Sequence, residues 1–271
     1  MTLVSTDWLN KNQKTVKIVD ASWHLIKNRN ATKEFENEHI ENTVFFDLDK
    51  NSNQNKDFPH PHFLPSLGDH EKNVSNLGIK NSDRIIFYCN SDLISSCRAW
   101  FQFLYFGHDP KLVSVLNGGL KKWKLENKRV TNAKTKIIPS KYIAKENENM
   151  IKIKQQIDEN IIKKKFSILD ARSKKRFLGE QPEPRPGIKS GSIQGSKSLP
   201  LNEVINIKDN TFLDKEKLID IFKLVGADNN EVVMSCGSSV TAATIALAYS
   251  LVNDDYVPKI YIGSWAEYGK K

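Results

Sequence analysis

A single cysteine stands in the stretch VVMSCGSSVT, residues 232–241, where an apolar run gives way to small and hydroxyl-bearing residues. The apolar run predicts a β-strand that delivers Cys236 to its carboxyl end, followed by a tight backbone curl and a helix. Such a curl turns several backbone N–H groups inward, and the helix adds its positive end, so a sulfur anion at this position is stabilised. The loop alone is compatible with a nucleophilic thiolate and equally with a buried, inert cysteine at a strand end, and the repeat and the arginines described below favour the thiolate.

Phosphoryl transfer is a second chemistry that a cysteine in such a loop can perform. Protein tyrosine phosphatases need an arginine at the sixth position after the cysteine to grip phosphate oxygens with its guanidinium. That position here holds Ala242. The sequence therefore disfavours a phosphatase.

The other two cysteines have weaker claims to chemistry. Cys89 also follows an apolar run, but the next residues, NSDLISS, form a longer loop that carries Asp92, and we expect a structural thiol. Cys97 stands at the start of a helical stretch and is expected in the core or on the surface. Three cysteines without a CxxC motif predict neither a disulfide framework nor a zinc site, and we expect no metal and no cofactor.

The elements that position these residues recur along the chain. An apolar run ends in Asp20 and again in Asp170, at an offset of 150 residues, and the runs that end in Cys89 and Cys236 are 147 residues apart. EHIENTVFFDLD matches SGSIQGSKSLPLNEV, and LVSVLNGGLKKW matches VPKIYIGSWAEY. Four blocks in the same order indicate two copies of one domain.

Each copy alternates strands with helical stretches, which predicts an α/β fold with a mainly parallel sheet flanked by helices. The stretches SCRAWFQFLYFG and TAATIALAYSLV are the clearest helices, and the second is apolar nearly all round, hence buried. We expect a first domain at residues 1–130, a polar linker at 131–160 and a second domain at 161–271.

The composition describes a globular protein of 271 residues with a net charge of +9. Its lysines are spread among Asn and Glu, which favours a solvated surface over a nucleic-acid-binding patch. The positive electrostatic field of such a surface also attracts small anionic substrates. The sequence has neither an apolar membrane span nor a signal peptide, and we expect a cytoplasmic protein without membrane or nucleic-acid partners.

The strings CGSSVTA, RFLGEQPEPRPGIKSG and GSWAEY, together with FFDLD, HFLP, CRAWFQFLYFGH and LNGGLKKW, resemble the tandem-domain rhodanese family, and within it the 3-mercaptopyruvate sulfurtransferases. The resemblance covers nearly the whole chain. It implies two rhodanese-like domains, of which the first is non-catalytic and the second uses Cys236 to accept sulfur as a persulfide. A small-molecule sulfur donor and a thiol acceptor, such as thioredoxin or a small thiol, or cyanide, are the implied partners.

The resemblance also assigns site residues. Arg176 and Arg185 match the family's carboxylate-binding arginines, and Ser238 matches a loop serine in a relay with an aspartate and a histidine of the first domain. Asp49 matches the aspartate; His62 is preferred for the histidine, with His60 as the alternative. The resemblance also implies that four further residues bind the substrate: Gly237, Ser239, Val240 and Thr241.

Two departures from the family's usual strings bear on the site. Ser239 stands where the loop usually has a second glycine, so we expect backbone strain or an altered conformation there. Leu178 replaces an arginine of the usual RFRG string and removes one positive charge beside the site.

The donor is predicted from the charge of the loop. Rhodaneses specialised for thiosulfate, a dianion, place basic residues directly after the cysteine, whereas Gly237 and Ser238 are neutral. We therefore expect 3-mercaptopyruvate, which has one carboxylate. Thiosulfate:cyanide sulfurtransferase activity, and a non-catalytic sulfur carrier or protein-binding module, remain the alternatives.

Overall fold

The computed structural model describes residues 2–25, 28–55, 61–227 and 231–271. The chain divides into two compact units. Unit 1 comprises Met1–Gln54, Leu64–Asn147 and Asn206–Phe212, and unit 2 comprises Asn55–Phe63, Glu148–Ile205 and Leu213–Lys271. Unit 1 thus includes the short segment Asn206–Phe212 from the second half of the sequence, and unit 2 includes Asn55–Phe63 from the first half.

Unit 1 is built on a five-stranded parallel sheet with the strand order β1-β5-β4-β2-β3. Its strands are β1 (Leu3–Val4), β2 (Lys17–Asp20), β3 (Thr43–Phe45), β4 (Ile85–Tyr88) and β5 (Val113–Leu116). Its helices are α1 (Thr6–Asn12), α2 (Ala31–Asn37), α3 (Leu67–Asn76), α4 (Ser96–Tyr105) and α5 (Gly119–Leu125). Apolar strand residues such as Ile18 and Ile86 pack with Leu120 and Trp123 of α5 in a buried cluster.

Unit 2 repeats this sheet, with the order β6-β12-β11-β7-β8 and every pairing parallel. Its strands are β6 (Ile151–Lys152), β7 (Phe166–Asp170), β8 (Lys197–Ser198), β11 (Glu231–Ser235) and β12 (Ile260–Tyr261). Its helices are α6 (Lys154–Lys163), α7 (Lys174–Phe177), α8 (Lys215–Leu224), α9 (Val240–Ser250) and α10 (Ser264–Tyr268). Outside both five-stranded sheets, the short strands β9 (Ile205–Asn206) and β10 (Thr211–Phe212) pair with each other; β10 belongs to the segment 206–212 of unit 1.

The two sheets confirm the α/β fold and the repeat predicted from the sequence. β2 and β7 end at Asp20 and Asp170, and the central strands β4 and β11 end just before Cys89 and Cys236. The apolar stretch after the second cysteine forms α9, in which all but two residues are buried, as its composition predicts. The segment 131–160, expected as a linker, contains β6 and the start of α6, and β6 pairs with β12 of the second sheet.

No helix within the described ranges is long and apolar enough to cross a membrane.

Candidate active site

The cysteine loop of unit 2 begins where β11 ends. β11 pairs with β7 on one side and β12 on the other, so Cys236 emerges at the carboxyl edge of the sheet, where open α/β sheets bind ligands. The loop is four residues long, from Cys236 to Ser239, because β11 ends at Ser235 and α9 begins at Val240. The Cys236 side chain is buried, and its position beside the N-terminus of α9 supplies a positive electrostatic environment for a thiolate.

The hydroxyl of Ser264 holds the ends of this loop together. Ser264 Oγ accepts hydrogen bonds from the backbone N–H groups of Cys236 (3.3 Å) and Ser239 (3.1 Å) and donates to the carbonyl of Tyr261 (2.9 Å). The start of α10 adds two backbone bonds, from Trp265 N–H to Cys236 O and from Ala266 N–H to Gly237 O, each 2.9 Å. Sequence reasoning missed Ser264, although its place in the closing GSWAEY, directly after β12, was a usable signal.

Ser239 adopts the left-handed backbone conformation, with φ of 61°, at the position where the sequence departs from the family's glycine. A residue with a side chain is strained in this left-handed region, whereas glycine is not, and this agrees with the backbone strain expected at Ser239. The buried Ser239 Oγ donates to the carbonyl of His62 at 3.4 Å, which offsets part of the cost.

The guanidinium groups of Arg176 and Arg185 both lie close to Gly237 of the loop. A Cβ built on Gly237 would lie 3.1 Å from Nη2 of Arg176 and 3.6 Å from Nη1 of Arg185. The absence of a side chain at 237 therefore lets both cations approach the peptide next to the cysteine. Arg176 comes from α7, whose N-terminus is capped by Ser173, and Arg185 follows in the adjoining loop.

Arg176 belongs to a buried ion network that the sequence did not reveal. Its Nε and Nη2 donate to Oε1 (3.2 Å) and Oε2 (2.5 Å) of Glu183, whose side chain is only 3% exposed. Glu183 Oε1 also accepts a hydrogen bond from Nη1 of Arg172 (2.7 Å). Nε and Nη2 of Arg172 donate to the carboxylate of Asp170 at the end of β7. Burial lowers the pKa of Arg172, but Asp170 and Glu183 outweigh it, so the net pKa is raised and the group stays charged.

Ser238 links Arg185 to His62. Its hydroxyl accepts from Nη2 of Arg185 at 3.1 Å and lies 3.0 Å from Nδ1 of His62, with both side chains buried. Because a hydroxyl has one hydrogen and two lone pairs, Ser238 can donate to His62 while it accepts from Arg185. The alternative histidine, His60, lies outside the described residues.

The remaining predicted residues fall into two groups. Val240 and Thr241 form the first turn of α9, Val240 buried and Thr241 half-buried. Asp49 belongs to unit 1, where its carboxylate accepts a hydrogen bond of 3.0 Å from the indole N–H of Trp23. Within the described ranges, no group of three or more His, Cys, Asp or Glu side chains is placed to hold a metal ion.

The corresponding loop of unit 1 has a different environment. The Cys89 thiol is buried, it accepts a bond of 3.4 Å from Ser96 Oγ, and burial raises its pKa. Arg29 is held by Glu34 through Nε and Nη2, as Arg176 is held by Glu183, and Asp92 lies 4.0 Å from Nη1 of Arg29. Gly119 occupies the position that corresponds to Ser264 by the repeat, so no hydroxyl closes this loop at that point.

Comparison with known proteins agrees with this architecture. A Rhodanese-like domain model matches residues 5–126. The 3-mercaptopyruvate sulfurtransferase of Mus musculus is 35% identical, over 98% of this chain and 91% of that protein, and the thiosulfate sulfurtransferase of Mus musculus is 34% identical, over 99% and 92%. Among solved structures, the chain is similar to SseA from Escherichia coli, a 3-mercaptopyruvate sulfotransferase. The TM-score is 0.87 and the sequence identity 28%, over 98% of this chain and 99% of SseA. The chain belongs to the rhodanese family.

Proposed function

We propose that this protein is a sulfurtransferase that takes sulfur from 3-mercaptopyruvate onto Cys236 and passes it to a thiol or to cyanide. The observation that carries the proposal is the pair of guanidinium groups, Arg176 and Arg185, that both lie beside Gly237. A carboxylate and a keto oxygen offer acceptors that two arginines can bind through charge-assisted hydrogen bonds. A donor held in this way has its sulfur close to the thiol of the adjacent cysteine.

In the first step, the Cys236 thiolate attacks the sulfur of mercaptopyruvate. A sulfur–sulfur bond forms, the carbon–sulfur bond of the donor breaks, and the electron pair goes to the carbon as the enolate of pyruvate. The proton of the donor's thiol is returned to that carbon, which leaves pyruvate and an enzyme persulfide anion. In the second step an acceptor thiolate or cyanide attacks the outer sulfur and releases the Cys236 thiolate, so the cycle needs no added oxidant or reductant.

The proton transfer of the first step is assigned to Ser238 and His62. Their hydrogen bond supplies a short path between a hydroxyl of the loop and an imidazole, a side chain that can accept and donate a proton. Arg185, on the same hydroxyl, favours the deprotonated oxygen during transfer. The role of Asp49 in this proton transfer stays a prediction, which rests on its match to the family's FFDLD string.

We propose mercaptopyruvate rather than thiosulfate as the donor because of the charges around the cysteine loop. The two mouse relatives match this chain almost equally, at 35% and 34% identity, so overall similarity does not choose between their donors. Residues 237 and 238 are neutral here, and one of the two arginines is already paired with Glu183. A second negative charge on the donor would therefore lack a matching cation.

Unit 2 is proposed as the catalytic unit, with unit 1 silent. The raised pKa of the Cys89 thiol keeps it protonated near neutral pH, and its neighbours Glu34 and Asp92 are acidic. All three cysteines are free thiols, which suits a reducing compartment such as the cytoplasm, where a small thiol or thioredoxin is available as the acceptor.

The test is steady-state kinetics with each donor, combined with mass spectrometry of the protein after donor treatment. We expect kcat/KM for mercaptopyruvate to exceed that for thiosulfate by at least about tenfold, which corresponds to one charge-assisted contact. A mass increase of one sulfur atom should map to Cys236 and be absent in Cys236→Ser. The matched control, Cys89→Ser, should keep both the adduct and the turnover.

Three outcomes would contradict the proposal. A preference for thiosulfate at matched pH and ionic strength would make the protein a thiosulfate sulfurtransferase. An adduct without turnover would make it a sulfur carrier. Loss of turnover in Cys89→Ser comparable to that in Cys236→Ser would show that unit 1 is not silent.

A further inference from the structure

The amino edge of the unit 1 sheet carries a cleft that the proposed sulfur transfer does not use. It has a volume of about 450 Å³ and lies where β2 begins at Lys17 and β4 begins at Ile85, at the opposite edge of the sheet from Cys89. Its lining includes Lys14, Lys17 and Arg84. We propose that this cleft binds the phosphate group of a small molecule, an inference that does not depend on the sulfurtransferase activity.

The guanidinium of Arg84 has no acceptor in the part of the chain that the structure describes. Its Nε is shielded from solvent and makes no hydrogen bond, and no hydrogen bond or ion pair joins the group to a described residue. Buried N–H donors in folded proteins nearly always have an acceptor, because an unpaired one is costly. Since Arg84 lines the cleft, an oxyanion bound there supplies acceptors to this guanidinium.

Arg84 is held in place by an aromatic ring instead of a carboxylate. Its guanidinium carbon lies 5.1 Å from the centre of the ring of Trp8 in α1. A cation over an aromatic face is stabilised without being neutralised, so its charge stays available to a ligand. The backbone is fixed as well, because the Arg84 carbonyl accepts a 2.8 Å hydrogen bond from the N–H of Lys17.

Thr135 adds a second unpaired polar group to the lining of the cleft. Its hydroxyl oxygen is shielded from solvent and has no hydrogen-bond partner among the described residues. The segment before it is anchored to His39, which exchanges two backbone bonds of 2.8 Å with Thr131 and has Nε2 3.2 Å from the carbonyl of Ala133. A hydroxyl can donate one hydrogen bond to an oxyanion. Two unpaired polar side chains from distant parts of the sequence therefore point to a polar ligand.

The charges of the lining favour a dianion. Lys14 is exposed and Lys17 and Arg84 are half-buried, and none of the three forms an ion pair within the described ranges. Asp83 contributes one negative charge, and its Oδ2 accepts a 2.8 Å hydrogen bond from the N–H of Lys80. Three positive charges and one negative charge leave an excess of two, which matches a phosphate dianion better than a single carboxylate. The volume is that of a small-molecule site and leaves room beyond the phosphate.

Unit 2 lacks this set of cations at the equivalent positions. By the offsets of the repeat, Lys17 corresponds to Ser167 and Arg84 to Glu231, and the registers of the two sheets agree with both assignments. Glu231 forms ion pairs with two lysines, at 2.9 and 3.2 Å. The fold therefore does not require an arginine without an acceptor at this strand start, which favours a ligand as the reason for Arg84.

The experiment is calorimetric titration of the full-length protein with inorganic phosphate, with acetate at matched ionic strength as the carboxylate control. We expect acetate to bind at least about tenfold more weakly than phosphate. Arg84→Gln should raise the Kd for phosphate at least about tenfold, through loss of a charge-assisted contact. The matched control, Arg129→Gln, removes an exposed arginine of the same unit that does not line the cleft, and should leave the Kd within about twofold.

A second arm separates this cleft from the cysteine loop, which also attracts anions. Arg185→Gln should leave the Kd for phosphate at the cleft unchanged. Glycerol 3-phosphate, titrated in the same way, distinguishes the source of the phosphate group: tighter binding than inorganic phosphate identifies an esterified phosphate as the ligand, and weaker binding identifies the inorganic ion.

Two further variants keep the inference testable where Arg84→Gln fails to fold. Lys17→Gln should raise the Kd for phosphate by about three- to tenfold. Thr135→Val keeps the branched shape and removes only the hydroxyl, so it should weaken binding by about threefold without lowering the urea midpoint, because no hydrogen bond of the unliganded protein is lost.

The inference is overturned if phosphate does not bind at concentrations up to about 10 mM, or if acetate binds as tightly as phosphate. It is also overturned if Arg185→Gln removes the binding and Arg84→Gln does not, since phosphate would then occupy the cysteine loop.

Discussion

Replacing Arg185 with Gln should lower kcat/KM for mercaptopyruvate by about ten- to a hundredfold. The guanidinium reaches the loop at two points, through Nη2 on Ser238 Oγ at 3.1 Å and through Nη1 beside Gly237. A hydrogen bond to a charged group contributes about 1.5 to 3 kcal/mol, and about 1.4 kcal/mol corresponds to a factor of ten. Because Arg185 is half-buried and partly screened by water, the loss should lie towards the lower end of this range.

The same substitution should leave the fold intact. Arg185 is half-buried, and its bond to Ser238 Oγ is only part-buried, so the free energy of unfolding should change by less than about 1 kcal/mol. Arg185→Lys is the informative companion, since it keeps the charge but loses the planar fork and should recover only part of the activity.

The assay is the initial rate of pyruvate release at several donor concentrations, with urea unfolding of the same preparations as the control. A fall in kcat/KM of less than about threefold in Arg185→Gln would refute the reasoning, because it would show that neither contact of the guanidinium is used by the donor. A large fall accompanied by an equal loss for thiosulfate and a lowered unfolding midpoint would show a structural defect instead.

Three further predictions concern stability. Ser264→Ala removes the acceptor of two buried backbone N–H groups and should cost about 2 to 4 kcal/mol in urea unfolding; a loss below about 1 kcal/mol would show that the loop does not depend on this hydroxyl. Ser239→Gly relieves a left-handed residue and should raise the free energy of unfolding by about 1 kcal/mol, so a lower value would mean that the bond to His62 O outweighs the strain. Burial raises the pKa of Asp20 from 3.8 to about 6, so its folded form binds the proton more tightly and stability falls as pH rises between these values. Asp20→Asn should therefore stabilise the protein by up to about 3 kcal/mol at pH 7 and by nothing below about pH 3.5, and an equal effect at both pH values would exclude the carboxylate's charge as the cause.

The parts of the site that lie on one strand and its following turn could be predicted from the sequence. Cys236 and its loop are adjacent along the chain, and the apolar run before them forms a strand whose end must lie at the carboxyl edge of a parallel sheet. The repeat placed Asp20 against Asp170 and Cys89 against Cys236, and both pairs occupy equivalent strand ends in the two sheets. Local pattern and topology are sufficient for this level of detail.

Residues brought in by tertiary packing could not be found in the same way. Ser264 reaches the cysteine loop because β12 pairs with β11, and Glu183 joins two arginines from a loop whose path depends on burial of Arg172. The boundaries of the two units could not be predicted for the same reason, since they depend on long-range contacts. His62 belongs to unit 2 although it lies far from most of that unit in sequence, and composition alone does not reveal this.

The two cysteine loops have equivalent places in their sheets but different surroundings, and for this reason we propose a reactive thiol in unit 2 and an inert one in unit 1. Both thiols are buried after a central strand, so burial does not distinguish them. The loops differ in what surrounds them. Ser264 closes the loop of Cys236, and Arg185 donates to Ser238 of that loop, whereas Glu34 and Asp92 lie around the loop of Cys89. A thiolate and an anionic donor both need positive potential, since desolvation alone raises the pKa of a thiol. We therefore expect single exchanges to separate the two effects, with Arg185→Gln lowering turnover and Ser264→Ala lowering stability.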